Sequence, residues 1–520
     1  LKEWLCCNQD FSILSFSQHA EDEVTMPADG QAPSAAENGQ PVLALRIAGL
    51  IAGPVGAALL LWFAPAEGMP LEAWRMLAIT LWMVVWWLSE ALPIPATALL
   101  PLVLMPLLGV QEMSETAARY ANPLIFLFLG GFLLAAAMQR VGLHRRIALR
   151  IVSVVGASPD RIVLGFMLAT AFLSMWISNT ATTIMMFAVA LSVIDFVGQQ
   201  SRDDRMVRNF GVALMLAVAY SASIGGVGTL IGSPPNAMLA SFVQQTYGIE
   251  VSFARWMMIG LPVVVVMLPL TWLLLTRLLF PAHTIKVGDA GALVRAEIAA
   301  MGSMDRGERL VAVVFGGAAL GWMLREPLAR VTGLPLDDAM IGLTAALILF
   351  GLPVSRGTRR YVLDWAATRD LPWGILLLFG GGLALAGGFS SSGLARVIGE
   401  SVAGIHIPTI LLVLAVLAAM VYLTEITSNT ASTATFLPIL GAVAVGLELD
   451  VLTLTLPVAL GASMAFMMPV ATPPNAIVFA YDRMRLSDMV RAGFLMNLIA
   501  IAVAFGVLVL LGPVVLGIAL

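Results

Sequence analysis

From Leu43 onward the chain alternates apolar runs with short connectors that hold most of its charge. Many of the runs reach about 20 residues, the length that carries a helix across the hydrocarbon core of a bilayer. Crossing helices are expected over 43–65, 75–92, 94–110, 122–139, 256–277, 309–324, 336–353, 370–390 and 492–518. Two longer runs, 209–245 and 451–481, are interrupted by Pro-Pro-Asn and read as broken helices. Two others, 163–197 and 408–446, have polar centres and read as re-entrant hairpins that return to their starting side. The pattern predicts an all-α polytopic membrane protein with about 11 transmembrane helices.

Composition and charge sharpen this. The chain is 59% hydrophobic and 12% charged, where a soluble domain carries roughly a quarter charged residues. With the N-terminus in the cytoplasm and both hairpins non-crossing, 20 Lys and Arg fall inside and six outside. That asymmetry follows the positive-inside rule. The net charge of −4 says nothing about partners, since most charges sit in loops, and no nucleic acid is expected. Cys6 and Cys7 both lie near the N-terminus, and the four histidines form no helix-spaced metal pair. Residues 1–42 mix Gln, Ser, Pro and charge without an apolar core, so they read as a disordered cytoplasmic tail, with translation expected to start at Met26. The lack of sorting signals and of glycosylation-style loops suits a bacterial inner membrane.

The apolar pattern occurs twice. Leu127–Leu143 pairs with Leu377–Leu394, "SNTATT" at Ser178 with "SNTAST" 250 positions on at Ser428, and "GSPPNA" at Gly232 with "ATPPNAI" at Ala471. The resulting plan is a first helix at 43–70, a first repeat at 71–280, a cytoplasmic linker arm at 281–308 and a second repeat at 309–520. Each repeat holds an odd number of crossings, so the second lies inverted. Inverted repeats with discontinuous helices are a secondary-transporter plan, with the site where the breaks meet. Packing alone accounts for the glycines of "LGGF" and "FGGG", but not for four polar breaks in matched places.

At each break, released carbonyls face a cation, while the N-terminus of the following half-helix faces an anion. Ser and Thr hydroxyls and Asn amides are hard, neutral oxygen ligands that suit Na+. Ser174 and Thr424 each stand four residues before a tip serine, one helical turn away. Neither hairpin core nor either break holds Lys, Arg or Asp. An anion there has only helix dipoles and co-bound cations to neutralise it. Glu425 is the one carboxylate at that depth and reads as a structural acceptor that holds its hairpin. Glu90 reads as a helix-end carboxylate, and Trp82, Trp86 and Trp87 as packing or lipid-anchoring residues.

The paired SNT and PPN motifs, with "SEALPIPATALLP", resemble the divalent anion/sodium symporter family over nearly the whole chain from about Leu43. The resemblance implies sodium-coupled symport of C4-dicarboxylates (succinate, malate, fumarate) by an elevator mechanism in a homodimer. It implies that substrate meets Ser178, Asn179 and Thr180, their counterparts Ser428, Asn429 and Thr430, and the break residues Ser233, Thr472 and Pro473. One Na+ would sit among Ser174, Ser178, Asn179 and Gly232, and another among Thr424, Ser428, Asn429 and Ala471. The alternatives are a sodium-independent di- or tricarboxylate exchanger and a sodium-coupled citrate or sulfate carrier on the same scaffold. A channel or an intramembrane enzyme is disfavoured, because no filter-like carbonyl run, paired Asp or Ser/His dyad stands in the breaks.

Overall fold

The computed structural model describes residues 40–156, 158–201, 203–281, 290–354, 360–404 and 407–518. The chain divides into two units, Leu1–Ala44 and Leu45–Leu520. Of the first, only the opening residues of a helix are described, so the expected disordered tail falls almost wholly outside the described residues, as do residues 282–289 of the linker arm.

The leading helices are α1 (Gln40–Trp62), α2 (Leu71–Ser89), α3 (Ile94–Thr97), α4 (Leu100–Leu107) and α5 (Met113–Ala118). Seven more follow: α6 (Pro123–Arg140), α7 (Leu143–Val155), α8 (Pro159–Ser174), α9 (Asn179–Gln200), α10 (Asp204–Val227), α11 (Pro234–Tyr247) and α12 (Phe253–Leu273). The connection to the second half holds α13 (Ala290–Ala300), α14 (Arg306–Met323), α15 (Arg325–Thr332) and α16 (Asp338–Gly351). The chain ends with α17 (Trp373–Ser391), α18 (Leu394–Val402), α19 (Thr409–Leu423), α20 (Asn429–Gly446), α21 (Val451–Ala462), α22 (Pro473–Phe479) and α23 (Leu486–Leu516).

The last seven helices repeat α6–α12 in order, and their end chemistry repeats too. Gly142 and Gly393 take the left-handed conformation (φ 76° and 77°) that turns α6 into α7 and α17 into α18. Ser178 and Ser428 cap α9 and α20 by accepting from the third residue beyond, Ala181 and Ala431. Ser233 and Thr472 share φ −141° before the prolines that open α11 and α22.

Nine helices among the described residues are long and apolar enough to cross a membrane, ten if α14 and α15, bent by 81°, form one span. The expected span at 94–110 is two short helices with a break at Ala98 and Leu99, because Pro101, in the first turn of α4, has no N–H with which to continue α3.

Burial is graded from centre to rim. The apolar window of α10 is 100% buried, and every residue of α21 is buried. At the rim, Val103, Val265, Leu347 and Val514 are 61–83% exposed, as befits side chains that meet lipid. The half-helices exchange partners between repeats: α11 packs on α20 and α21, and α22 on α9 and α10. Lipid is as apolar as leucine, so close van der Waals approach holds such a bundle together. Gly225 shows how close: a Cβ there would lie 2.3 Å from the Ala171 carbonyl oxygen of α8. Away from the bundle centre, Arg146 of α7 pairs with Glu308 at 2.7 Å and donates to Met301 O and Gly302 O, fastening α7 to the linker.

Gly225→Ala therefore forces two helix backbones apart, at a cost of about 1–3 kcal/mol. Its melting temperature in detergent should drop, while Gly317→Ala, whose Cβ meets nothing within 4 Å, should leave it unchanged.

Candidate functional site

Each SNT tip stands at a gap between two helices, α8 to α9 and α19 to α20. Each PPN motif opens a half-helix after a gap of unwound chain, 228–233 in the first repeat and 463–472 in the second. Unwound backbone at membrane depth must find its hydrogen bonds inside the protein. The structure meets that demand with side chains from the motifs themselves.

In the first repeat, Ser174 is fully buried and its hydroxyl donates to Ala222 O at 2.7 Å, which leaves its lone pairs free. The Asn179 amide lies against it. With its NH2 turned inward, the amide donates to Ser174 Oγ at 2.5 Å and to Gly232 O and Ala222 O at 3.2 Å each. With Oδ1 turned inward, it lies 2.5 Å from Ser174 Oγ and brings a fourth oxygen among three others, a cluster that a small hard cation can hold together. Gly226 borders this cluster because no side chain fits: a Cβ would lie 2.7 Å from Asn179 Oδ1. Three of the expected cation-site residues, Ser174, Asn179 and Gly232, thus share one site. Ser178 instead caps α9 and faces a cavity.

Thr229 joins the tip to the break, donating to Met175 O at 2.5 Å and accepting from Gly232 N at 3.1 Å. Asn236 then staples the break: its Nδ2 donates to Gly226 O and Thr229 O at 2.9 and 2.8 Å. The second repeat does the same at identical spacing, ten and seven residues upstream, where Asn475 Nδ2 donates to Ala465 O and Met468 O at 3.4 and 3.0 Å. Both asparagines are fully buried. Their double occurrence in PPN was the available sequence signal, and their stapling role was missed.

The second repeat adds a clamp without counterpart in the first, where Met175 stands in place of Glu425. Glu425 Oε1 accepts from Phe466 N, Met467 N and Asn497 Nδ2 at 2.7–2.9 Å, and Oε2 from Met467 N and Met468 N at 3.0 and 2.9 Å. Three consecutive backbone N–H groups converge on one buried carboxylate. The residue is structural as expected, but it holds the longer break rather than its own hairpin. Thr424 donates to Met420 O and Val421 O, which leaves lone pairs free as at Ser174. Asn429 Oδ1 is buried with no hydrogen-bond partner among the described residues. Thr430 is half-buried beside it, as Thr180 is in the first tip, while Ala471 is buried and Pro473 exposed. Thr472 Oγ1 caps α22 by accepting from Asn475 N at 3.3 Å.

The two breaks touch, with Ser233 Oγ 3.0 Å from Ser463 Oγ. Four helix N-termini, of α9, α11, α20 and α22, belong to the motifs. They are not equivalent. Proline occupies the first two positions of α11 and α22 and brings no N–H, whereas α9 and α20 begin with Asn and Thr, whose N–H groups have no intrahelical acceptor. A carboxylate is therefore better served by the SNT ends, and a cation by the carbonyls of the breaks.

On one flank of the first tip, Trp176 stacks on Phe253 (6.1 Å between centroids), which stacks on Trp322 (4.9 Å). Close by, Arg325 pairs with Glu250 at 2.5 Å and Asp338 at 3.3 Å. A cavity of about 550 Å³ is lined by Ser178 and reaches Arg140 and Asp364. Glu90 caps α2 with φ 47° and pairs with Arg46, while Trp87 is fully buried and donates to Ile94 O.

Comparison with known proteins places these features. Residues 46–518 match the model of the sodium:sulfate symporter transmembrane region. The chain is 41% identical over 488 residues to the sodium-dependent dicarboxylate transporter SdcS of Staphylococcus aureus, in strains bovine RF122 and USA300 alike, covering 92% of this chain and 94% of each relative. Among solved structures it is similar in fold to the YdaH transporter of Alcanivorax borkumensis, with TM-score 0.56 and 15% identity, over 85% of this chain and 99% of that one.

Replacing Glu425 by Ala or Gln strands the three N–H groups or faces them with an NH2, a loss of about 2–5 kcal/mol. Both variants should melt well below the native protein in detergent. Asn236→Ala and Asn475→Ala should each lower the melting temperature by a smaller step, since each removes two neutral hydrogen bonds.

Proposed function

The chain belongs to the divalent anion/sodium symporter family, and from that premise we propose that it carries C4-dicarboxylates such as succinate, malate and fumarate together with Na+. It is a multi-pass membrane transporter rather than an enzyme. The observation that carries the reading is the division of labour at the breaks. Asn179 with Ser174, Ala222 O and Gly232 O supplies an oxygen cluster for Na+, and the N-termini of α9 and α20 supply paired donors for two separated carboxylates. Thr424, Ser428, Asn429 and Ala471 form the second cation set, and Ser178, Thr180, Thr430, Ser233, Thr472 and Pro473 complete the substrate contacts. Bound Na+ then supplies the positive charge that the site's side chains lack.

The chain sits in a bacterial inner membrane with its N-terminus and the Arg140 end of α6 in the cytoplasm, and it works as a homodimer. The cavity between Ser178 and Arg140 is open to the cytoplasm, while the Trp176–Phe253–Trp322 stack and the Arg325 pairs close the outer flank. The second repeat is inverted relative to the first. Transport proceeds as the two hairpins and broken helices move past the remaining helices in an elevator motion.

The test is radiolabelled succinate uptake into proteoliposomes under an inward Na+ gradient, with choline replacing Na+ as control. Uptake should require Na+. Asn179→Ala and Asn429→Ala should each cut it roughly tenfold or more, the equivalent of ~1.4 kcal/mol. Uptake only into vesicles preloaded with a dicarboxylate would make the protein an exchanger, and Na+-driven sulfate uptake without succinate uptake would replace the substrate.

A further inference from the structure

The cavity that reaches Ser178 has a second polar end with no part in the proposed site. Phe132, Gln139 and Arg140 all line it from α6, so it follows that helix for eight residues, about 12 Å at 1.5 Å each. Among the described residues Arg140 is its one cationic lining residue, set against two carboxylates, Asp364 and Asp370. Its Nη2 donates to Asp364 Oδ2 at 2.5 Å, and both side chains remain solvent-accessible, at 38% and 47%. A guanidinium has five N–H donors, and this bond uses one.

We infer that Arg140 is a vestibule docking point for the carboxylate of the transported dianion, and that Asp364 is an internal stand-in which the substrate displaces on its way between Ser178 and the cytoplasm. This deepens the transport reading and rests on it. An ion pair in contact with water is weakly held, because both partners recover hydration when they separate. Exchange of one carboxylate for another on Arg140 therefore costs little. The Arg140 hydrogen bond also holds the Asp364 carboxyl down to about 2, so at cellular pH the stand-in yields to a competing anion and not to a proton. Without Arg140 the charged groups that the described lining presents to an approaching dianion would be Asp364 and Asp370, and like charge slows entry.

Direct reading of the cytoplasmic face requires inside-out membrane vesicles holding the full chain, compared with right-side-out vesicles. Arg140→Gln should raise the succinate KM roughly tenfold from the cytoplasmic face and leave it unchanged from the outer face. Arg140→Lys should recover most of the difference, and added choline chloride should shrink it through screening. Asp364→Asn should lower the cytoplasmic KM, by exposing Arg140. If Arg140→Gln leaves the cytoplasmic KM unchanged while native vesicles transport succinate, the docking role is refuted. Equal losses in Arg140→Gln and Asp364→Asn would refute it too, since they would mark the pair as a strut between α6 and the loop. Native vesicles that move no dicarboxylate from either face would overturn the transport reading itself, and the docking role with it.

Discussion

The constraint on which the rest of this structure depends is that a peptide group cannot be left unpaired in a medium without water. Two helices are broken at the centre of the bundle, and each break exposes N–H and C=O groups whose desolvation would cost several kcal/mol apiece. Everything near them answers that demand. Asn236 and Asn475 take up carbonyls, Thr229 takes one N–H and one carbonyl, and Trp256 donates to Val227 O at the end of α10. What stays unsatisfied is then informative. Of the tip oxygens, Asn429 Oδ1 is buried without a hydrogen-bond partner among the described residues, and the Asn and Thr N–H groups that open α9 and α20 have no intrahelical acceptor.

Central burial follows from the same constraint. The arms α10 and α21 of the broken helices are enclosed by protein, and α1, unbroken, lies at the rim with most of its side chains exposed. Glycine is needed where enclosure brings backbones together, as at Gly225 against Ala171 and Gly226 against Asn179. The site's polarity is thus built from backbone and short side chains. Long charged side chains stand further out, at Arg140, Arg146 and Arg325.

The local parts of this design were legible in the sequence. Pro-Pro forces a break wherever it stands, serine before a helix caps it, and a polar centre in an apolar run announces a gap; these effects act over a few residues. The repeat showed because such local grammar was written twice. Contacts across the chain left no comparable trace. Glu425 was visibly out of place, yet its partners lie 41–43 and 72 residues away, and no period or spacing joins them. The asparagine of PPN gave no sign of its role, because its side chain reaches backward through the break, a direction that propensity does not encode. The short α3 and α4 were readable from Pro101, but hydrophobicity outweighed it in the expected span.

The carboxylate clamp also makes the two halves unequal. The first break is short enough for a threonine and an asparagine to hold, while the second spans ten residues and closes around Glu425. Exchanging the second hairpin for the first would keep the tip motif, yet place methionine at the position that anchors the longer loop. Symmetry of the motifs therefore does not extend to interchangeability of the halves. The second half holds a buried charge with Asn497 among its partners, and the first half holds methionine in its place.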